Sequence, residues 1–327
     1  RQTSCEAVMP FSPPRNPLED PALEPYRNFL LRRSRRFTEE MRRITTQYCS
    51  LRAYANLHSS LGPHRVRNSK GVDCWRWREY MPQAGAVWLT TDKLNFQRHA
   101  SHRFRRREDG IFELILPPDA LTHGDYVELR VQLPVAPDSS DPDKCRMSVP
   151  PLRRVPAFAQ WVEQDKVVPT QWCARIWAPE KSYRFRHRRP RAPVFPRIYE
   201  AHVGMTQSSL AHHGESVGSY EEFSRSILPR IKADGYTAVQ LMGILEHPLY
   251  RSFGYQVSSY YAPSSRYGTP DQFKALVDAA HSLGLSVILD ITHSHACPNT
   301  EQGLARYDGS RYFFLYAIHI FHPLIGV

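Results

Sequence analysis

The stretch LGLSVILDITHSHA, Leu283 to Ala296, decides how this chain is read. Gly284 closes a helical pattern, and a short apolar run, LSVILDI (285 to 291), leads straight into Asp290, His293 and His295. The run is too uniformly apolar for a surface edge, which predicts a parallel strand buried on both faces. An acid and an imidazole at the C-terminal end of such a strand lie where α/β barrels gather the polar residues of their sites.

The same rhythm extends upstream to Arg197. RIYEAHV (197 to 203) predicts a first strand, and Ser219 followed by two glutamates predicts a capped helix start that ends by Gly235. AVQLM (238 to 242) predicts a second strand. Thr269, Pro270 and Asp271 open a second helix, with Phe273, Leu276, Val277, Ala280 and Leu283 on one face. Alternating strands and helices imply a right-handed parallel sheet, open or closed into a barrel. The long segment from Gly243 to Gly268 carries Tyr250, Phe253, Tyr255, Tyr260, Tyr261 and Tyr267. With no GxGxxG and no P-loop present, this favours a (β/α)8 barrel over a nucleotide-binding sheet.

Before Arg197 the character differs. Residues 1–25, rich in proline, predict an irregular lead-in, and residues 26–66 a helical segment. From Leu23 to about Leu57, Leu23, Tyr26, Leu30, Phe37, Met41, Ile44 and Tyr48 recur at helical spacing. Residues 67–178 break into short apolar runs between turn residues. Val87 to Thr90, Ile111 to Leu116 and Tyr126 to Gln132 are the strand candidates of an all-β sandwich. Residues 179–196 are basic and proline-rich, a linker or a strap over the surface, and residues 197–327 are the barrel part.

A formal charge of +11 is concentrated in Arg32 to Arg43, Arg98 to Arg107 and Lys181 to Arg191. None of these clusters sits in a helix-turn-helix, RRM or KH pattern, so solvated faces are the preferred reading and no nucleic-acid partner is expected. No run approaches the roughly 18 apolar residues of a membrane span, so no membrane partner is expected either. Cys5, Cys49, Cys74, Cys145, Cys173 and Cys297 are scattered with no CxxC pair. They read as reduced thiols of a cytoplasm or plastid stroma, with no metal site. The close pairs His212/His213 and His293/His295 lack a further soft ligand nearby. The chain begins at Arg1, which reads as processing or a fragment.

Four stretches carry a resemblance: RIYEAHVGM (197–205), ILPRIKADGYTAVQLMGILEH (227–247), SFGYQVSSYYAPSSRYGTP (252–270) and AHSLGLSVILDITHSHA (280–296). In this order and spacing they resemble the start of the catalytic barrel of the starch and glycogen branching enzymes of the α-amylase superfamily. Upstream, DPALEPYRNFLLRRSRRF (20–37) resembles their helical N-terminus. REYMPQA (78–84) and VPAFAQWV (155–162) resemble the two ends of their family 48 carbohydrate-binding module. That module's GDFNGW is replaced here by TDKLNF (91–96), with Phe96 in place of the usual Trp; Trp75, Trp77 and Trp88 remain as possible sugar surfaces.

The resemblance implies cleavage of an α-1,4-glucan by the retaining scheme of two carboxyl groups about 5 Å apart, and rejoining through an α-1,6 link without a cofactor. It implies an α-1,4-glucan partner such as amylose, amylopectin or glycogen. It assigns Tyr255 as a platform under the glucose at the cleavage subsite, Asp290 as an orienting acid, and His295 as a ligand of the same sugar. His293 is left between a supporting role and plain loop. The nucleophile and the acid/base lie on strands four and five in the family. Residues 197–327 are about half of the ~250 residues a barrel takes, so about three strands are expected and no catalytic carboxylate is present. After Tyr312 and Phe313 the apolar FLYAIHIFHPLIGV (314–327) departs from the family pattern. The expected outcome is a chain inactive alone; a noncatalytic glucan-binding or regulatory protein is the alternative.

Overall fold

The computed structural model describes residues 20–134, 150–166, 168, 170–206, 210–211, 214–215, 217–299 and 301–310. Residues 1–19, the 314–327 tail, Cys5, Cys145, His212 and His213, all read in the sequence above, lie outside the described residues. The chain divides into two compact units, 1–59 and 60–327.

In the first unit, Asp20 caps a 3₁₀ turn (Pro21–Tyr26) through the Ala22 N–H, and the turn continues into α1 (Arg27–Tyr48). Cys49 takes a positive φ of 64° and ends α1. Ser50 then caps α2 (Leu51–Ala55), and Tyr48 packs on Tyr54 with ring centroids 5.3 Å apart. Of the apolar stripe, only Ile44 is buried; Tyr26 and Phe37 are more than half exposed. The helical unit ends at Ser59, short of the expected residue 66, because Gly62–Arg67 forms strand β1.

The second unit opens with a sandwich. β1 pairs with β2 (Asp73–Tyr80). β3 (Ala86–Thr91), β4 (Arg105–Arg106), β5 (Ile111–Leu116), β6 (Tyr126–Gln132), β7 (Leu152–Arg154), β8 (Val162–Gln164) and β9 (Trp172–Arg175) complete it. One sheet runs β1-β2-β5-β4. The other runs β3-β6-β9-β8, with β7 on β6, and every pair is antiparallel. Alternation decides the faces: Trp75, Trp77, Leu114 and Leu116 point inward against Val87, Leu89, Val127 and Leu129. Glu79 follows the same alternation and is also fully buried. The Trp77 Nε1–H (2.8 Å) and the Tyr307 hydroxyl (2.9 Å) donate to its two carboxyl oxygens. Burial pushes the Glu79 carboxyl up to about 7.

Residues 179–196 have no regular structure and form a strap. The Asp278 carboxylate accepts from the backbone N–H of Arg186 (3.1 Å) and of His187 (2.9 Å) and from the Tyr183 hydroxyl (3.1 Å). The His187 ring lies 3.0 Å away.

The last part is a parallel sheet in the order β10-β13-β16, formed by β10 (Ile198–Ala201), β13 (Ala238–Leu241) and β16 (Ser286–Leu289). A small hairpin, β11 (Leu210–Ala211) with β12 (Gly214–Glu215), follows β10. Ser219 and Glu222 form a capping box that starts α3 (Tyr220–Glu222). Pro229 lacks an amide hydrogen, and the chain accommodates it with a π turn (Phe223–Ile227) ahead of α4 (Leu228–Ala233). Thr269 and Gln272 box the start of α5 (Pro270–Ser282), as the sequence suggested. Val239, Leu241, Leu276, Ala280 and Leu285 join one core between sheet and helices.

The end of the last strand differs from expectation on both faces. Ile288, Leu289 and Ile291 are 37, 40 and 45% exposed, so β16 is not covered on both sides. Among the described residues β16 is the edge of its sheet, and an edge strand has no neighbour to shield its side chains.

Candidate functional site

The strand ends are aligned by the parallel register. Met242 N–H donates to Ala201 C=O (2.9 Å) and Asp290 N–H to Leu241 C=O (3.1 Å), so the ladder continues one residue beyond β13 and β16. Asp290 has the same parity as Ile288, which pairs with Gln240, itself paired with Glu200. These side chains therefore stand on the sheet face away from the helices. Gln240 Nε2 donates to Glu200 Oε1 at 3.1 Å.

The loop after β13 brings Tyr255 to this face. Gly243 (φ +54°) and Gly254 (φ +81°) touch backbone to backbone, and a Cβ on either would collide with the other strand of the loop. Between them, β14 (Leu245–Glu246) pairs with β15 (Ser259–Pro263), and a 3₁₀ turn (Tyr250–Ser252) precedes Phe253. The Tyr255 N–H donates to Ser252 C=O at 3.0 Å, and its hydroxyl donates to Asp290 Oδ2 at 3.1 Å. Burial, the Asp290 carboxylate and the charge of Glu200 together raise the Tyr255 phenol, so it stays a donor at neutral pH.

Tyr255 and Asp290, singled out in the sequence, are thus joined. His295 is exposed and shares a 2.8 Å hydrogen bond with the neighbouring Ser294; among the described residues no hydrogen bond links it to Tyr255 or Asp290. His293 stacks on Tyr260 with centroids 5.6 Å apart and planes 13° apart. Cys297 N–H donates to Val257 C=O at 2.9 Å and ties the segment after His295 to the loop that carries Tyr255.

The support beneath the loop was not read as functional in the sequence. Glu246 is fully buried. It accepts from the Ser265 N–H at 2.7 Å and lies 3.6 Å from Arg266, and burial pushes it up to about 7. Burial also lowers the neighbouring His247 to about 4. His202 shares a 3.3 Å contact with the Tyr267 hydroxyl and packs edge-on against Tyr250, Phe253 and Tyr267. The available signal was position alone: His202 follows β10, and Glu246 and His247 follow an apolar run that itself follows a strand.

Gly254→Ala is expected to destabilise the chain by about 3 kcal/mol, since a left-handed backbone and a backbone collision act together. Urea denaturation monitored by tryptophan fluorescence measures this. A midpoint unchanged from the parent would show that the Gly243–Gly254 approach is not required.

Residues 60–147 match the model of carbohydrate-binding module 48 (isoamylase N-terminal domain), and residues 225–309 match that of the alpha amylase catalytic domain. The chain is 36% identical over 297 residues to the 1,4-alpha-glucan-branching enzyme of Equus caballus, covering 89% of this chain and 39% of that one. Against the same enzyme of Yarrowia lipolytica it is 36% identical over 299 residues, covering 89% and 40%. It therefore spans about two-fifths of the length of these relatives. In structure it is similar to a pullulanase from Bacillus acidopullulyticus, with a TM-score of 0.55 and 17% identity over 76% of this chain and 31% of that one, a likeness of fold. The chain is thus a relative, over their N-terminal part, of the 1,4-alpha-glucan-branching enzymes of the alpha-amylase superfamily.

Proposed function

We propose that this chain is part of an enzyme that cuts α-1,4-glucan and rejoins the freed segment through an α-1,6 link. In this reading the β10-β13-β16 sheet is the first three strands of a (β/α)8 barrel, and its C-terminal rim receives the glucose unit at the cleavage point. Tyr255 lies under that sugar, Asp290 orients the neighbouring groups, and His295 closes on the sugar hydroxyls. The observation that carries the reading is the Tyr255–Asp290 hydrogen bond at the strand ends, since a tyrosine fixed by an acid makes a flat, oriented platform for a pyranose ring. The plastid stroma or the cytoplasm is the compartment proposed.

The 327 residues alone should not turn over glucan. Retaining transfer needs a nucleophilic carboxylate and a proton donor about 5 Å apart. By the resemblance both belong to strands four and five, outside the three strands described. Incubating the chain with amylose, and following iodine colour and the appearance of α-1,6 ends, should give no change from a blank. New branch points would refute the inactivity and require a carboxylate pair within this chain.

A binding role without catalysis is the second reading, favoured by a rim that is present together with a separate module matching a carbohydrate-binding family. Retention of the chain on amylopectin, lost in Tyr255→Ala, would support it. Retention unaffected by that substitution would move glucan binding away from the rim.

A further inference from the structure

The sandwich is open along β1, and a cavity of about 480 Å³ lies there, walled by Arg65, Trp75, Gln160, Trp177, Ser182 and Lys274 among others. None of these residues belongs to the rim of Tyr255 and Asp290. Its position follows from the register. Arg65 pairs with Trp75 across β1 and β2, so both side chains project from the same, core-facing side of the sheet. β1 is the last strand of that sheet, and the core ends beside it. The guanidinium of Arg65 comes to rest 5.0 Å over the Trp75 ring.

The far wall is similarly built. Trp177, just past β9, is held edge-on by Trp161 (5.3 Å, 85°) and by His123 (4.9 Å, 78°). The Lys274 ammonium reaches across from α5 to 5.8 Å from the same ring. Gln160 and the strap's Ser182 add neutral hydrogen-bonding groups.

The charge is one-sided. Among the described residues no carboxylate lines the cavity and Arg65 makes no ion pair. Lys274 is partly balanced by Asp271 at 3.0 Å, outside the lining, while Lys181 and Arg184 flank Ser182 on the strap against the single acid Glu180. Two cations over two indoles, with no acid among the described lining residues, match a ligand with an anionic group and a flat, weakly polar body. A neutral sugar has no use for the two cations, and a bare phosphate would leave most of the volume unfilled.

We infer that this cavity binds a hexose phosphate monoester, with the phosphate on Arg65 and Lys274 and the sugar ring against Trp177. Two sources share that chemistry: a free hexose phosphate, or a phosphorylated glucosyl unit within a glucan. Either would place an anion-responsive site on the sandwich, independent of the rim.

Calorimetric titration of the 327-residue chain at low salt with glucose 6-phosphate, orthophosphate and maltotriose tests this. Glucose 6-phosphate should bind at least tenfold more tightly than either of the others, and Arg65→Gln and Lys274→Gln should each weaken it at least tenfold. Circular dichroism of both variants should match the parent, because Arg65 is exposed and Lys274 lies on the surface of α5. A second arm compares retention on a phosphorylated glucan before and after phosphatase treatment. Retention lost on dephosphorylation, and lost in Arg65→Gln, identifies the polymer as the source. Retention indifferent to phosphatase, alongside glucose 6-phosphate binding that needs Arg65, identifies the free sugar phosphate. Orthophosphate binding as tight as glucose 6-phosphate, no glucose 6-phosphate binding at millimolar concentration, or binding unchanged in both variants would overturn the inference.

Discussion

Asp278→Ala is expected to cost the chain about 4 kcal/mol and to release the strap of residues 179–196. Asp278 is 2% exposed, yet it lies on α5 with an ionised side chain. Burial opposes its charge, but the backbone N–H groups of Arg186 and His187, the His187 ring and the Tyr183 hydroxyl outweigh that and hold the carboxyl well below the usual carboxylate range. Alanine removes an acceptor shared by four donors of the strap, and each hydrogen bond to a charged group is worth about 1.5–3 kcal/mol, without simple additivity and reduced here because the released donors return to water. Trypsin should then cut at Arg184, Arg186 and Arg188 much faster than in the parent, and the urea midpoint should fall. Asp278→Asn keeps the shape and one acceptor oxygen and should lose less. The folded-state pKa is depressed, so this stabilisation is present above about pH 4 and is lost as the pH falls through the depressed value. Equal trypsin rates in parent and Asp278→Ala would mean that the strap is held by other contacts.

The opposite pH dependence is expected from Glu79. Its carboxyl is raised to about 7 by burial, against the lowering hydrogen bonds from Trp77 and Tyr307. The folded state then holds a proton that the unfolded chain releases near pH 4.5. Stability from this group is complete below pH 4.5 and falls as the pH rises through 7. The full span is roughly 3 kcal/mol between pH 4 and pH 8. Glu246, raised in the same way, adds a fall of the same sign, and His247, lowered to about 4, opposes it between pH 6.5 and 4. The diagnostic measurement is therefore a difference. Urea stability of Glu79→Gln relative to the parent should improve from pH 5 and level off above about pH 7, because glutamine keeps a carbonyl acceptor and loses the titration. Parallel pH curves for the two proteins would show that Glu79 does not titrate in the folded state over this range.

Both residues also mark what was hard to read. In α5, the apolar face of Phe273, Leu276, Val277, Ala280 and Leu283 was legible by spacing. Asp278 lies off that face and is buried by a strap about 90 residues earlier in the chain, which no local pattern reports. In β2, the alternation Trp75, Trp77, Glu79 places an acid on the core side. Its partner Tyr307 is 228 positions away. Tyr255 and Asp290 were singled out by the resemblance and, for Asp290, by its strand end. Their hydrogen bond was not, because it depends on the Gly243–Gly254 approach that folds the loop back.

Local chemistry by itself determined the three parallel strands, the capped start of α5 and the strands β5 and β6, since side-chain period and capping residues act within a few positions. Tertiary structure alone decided which acids are buried, where the strap docks, and that β16 is exposed rather than enclosed. A buried charge is stabilised by whichever distant donors reach it, and a strand's exposure depends on its neighbours rather than on its own composition.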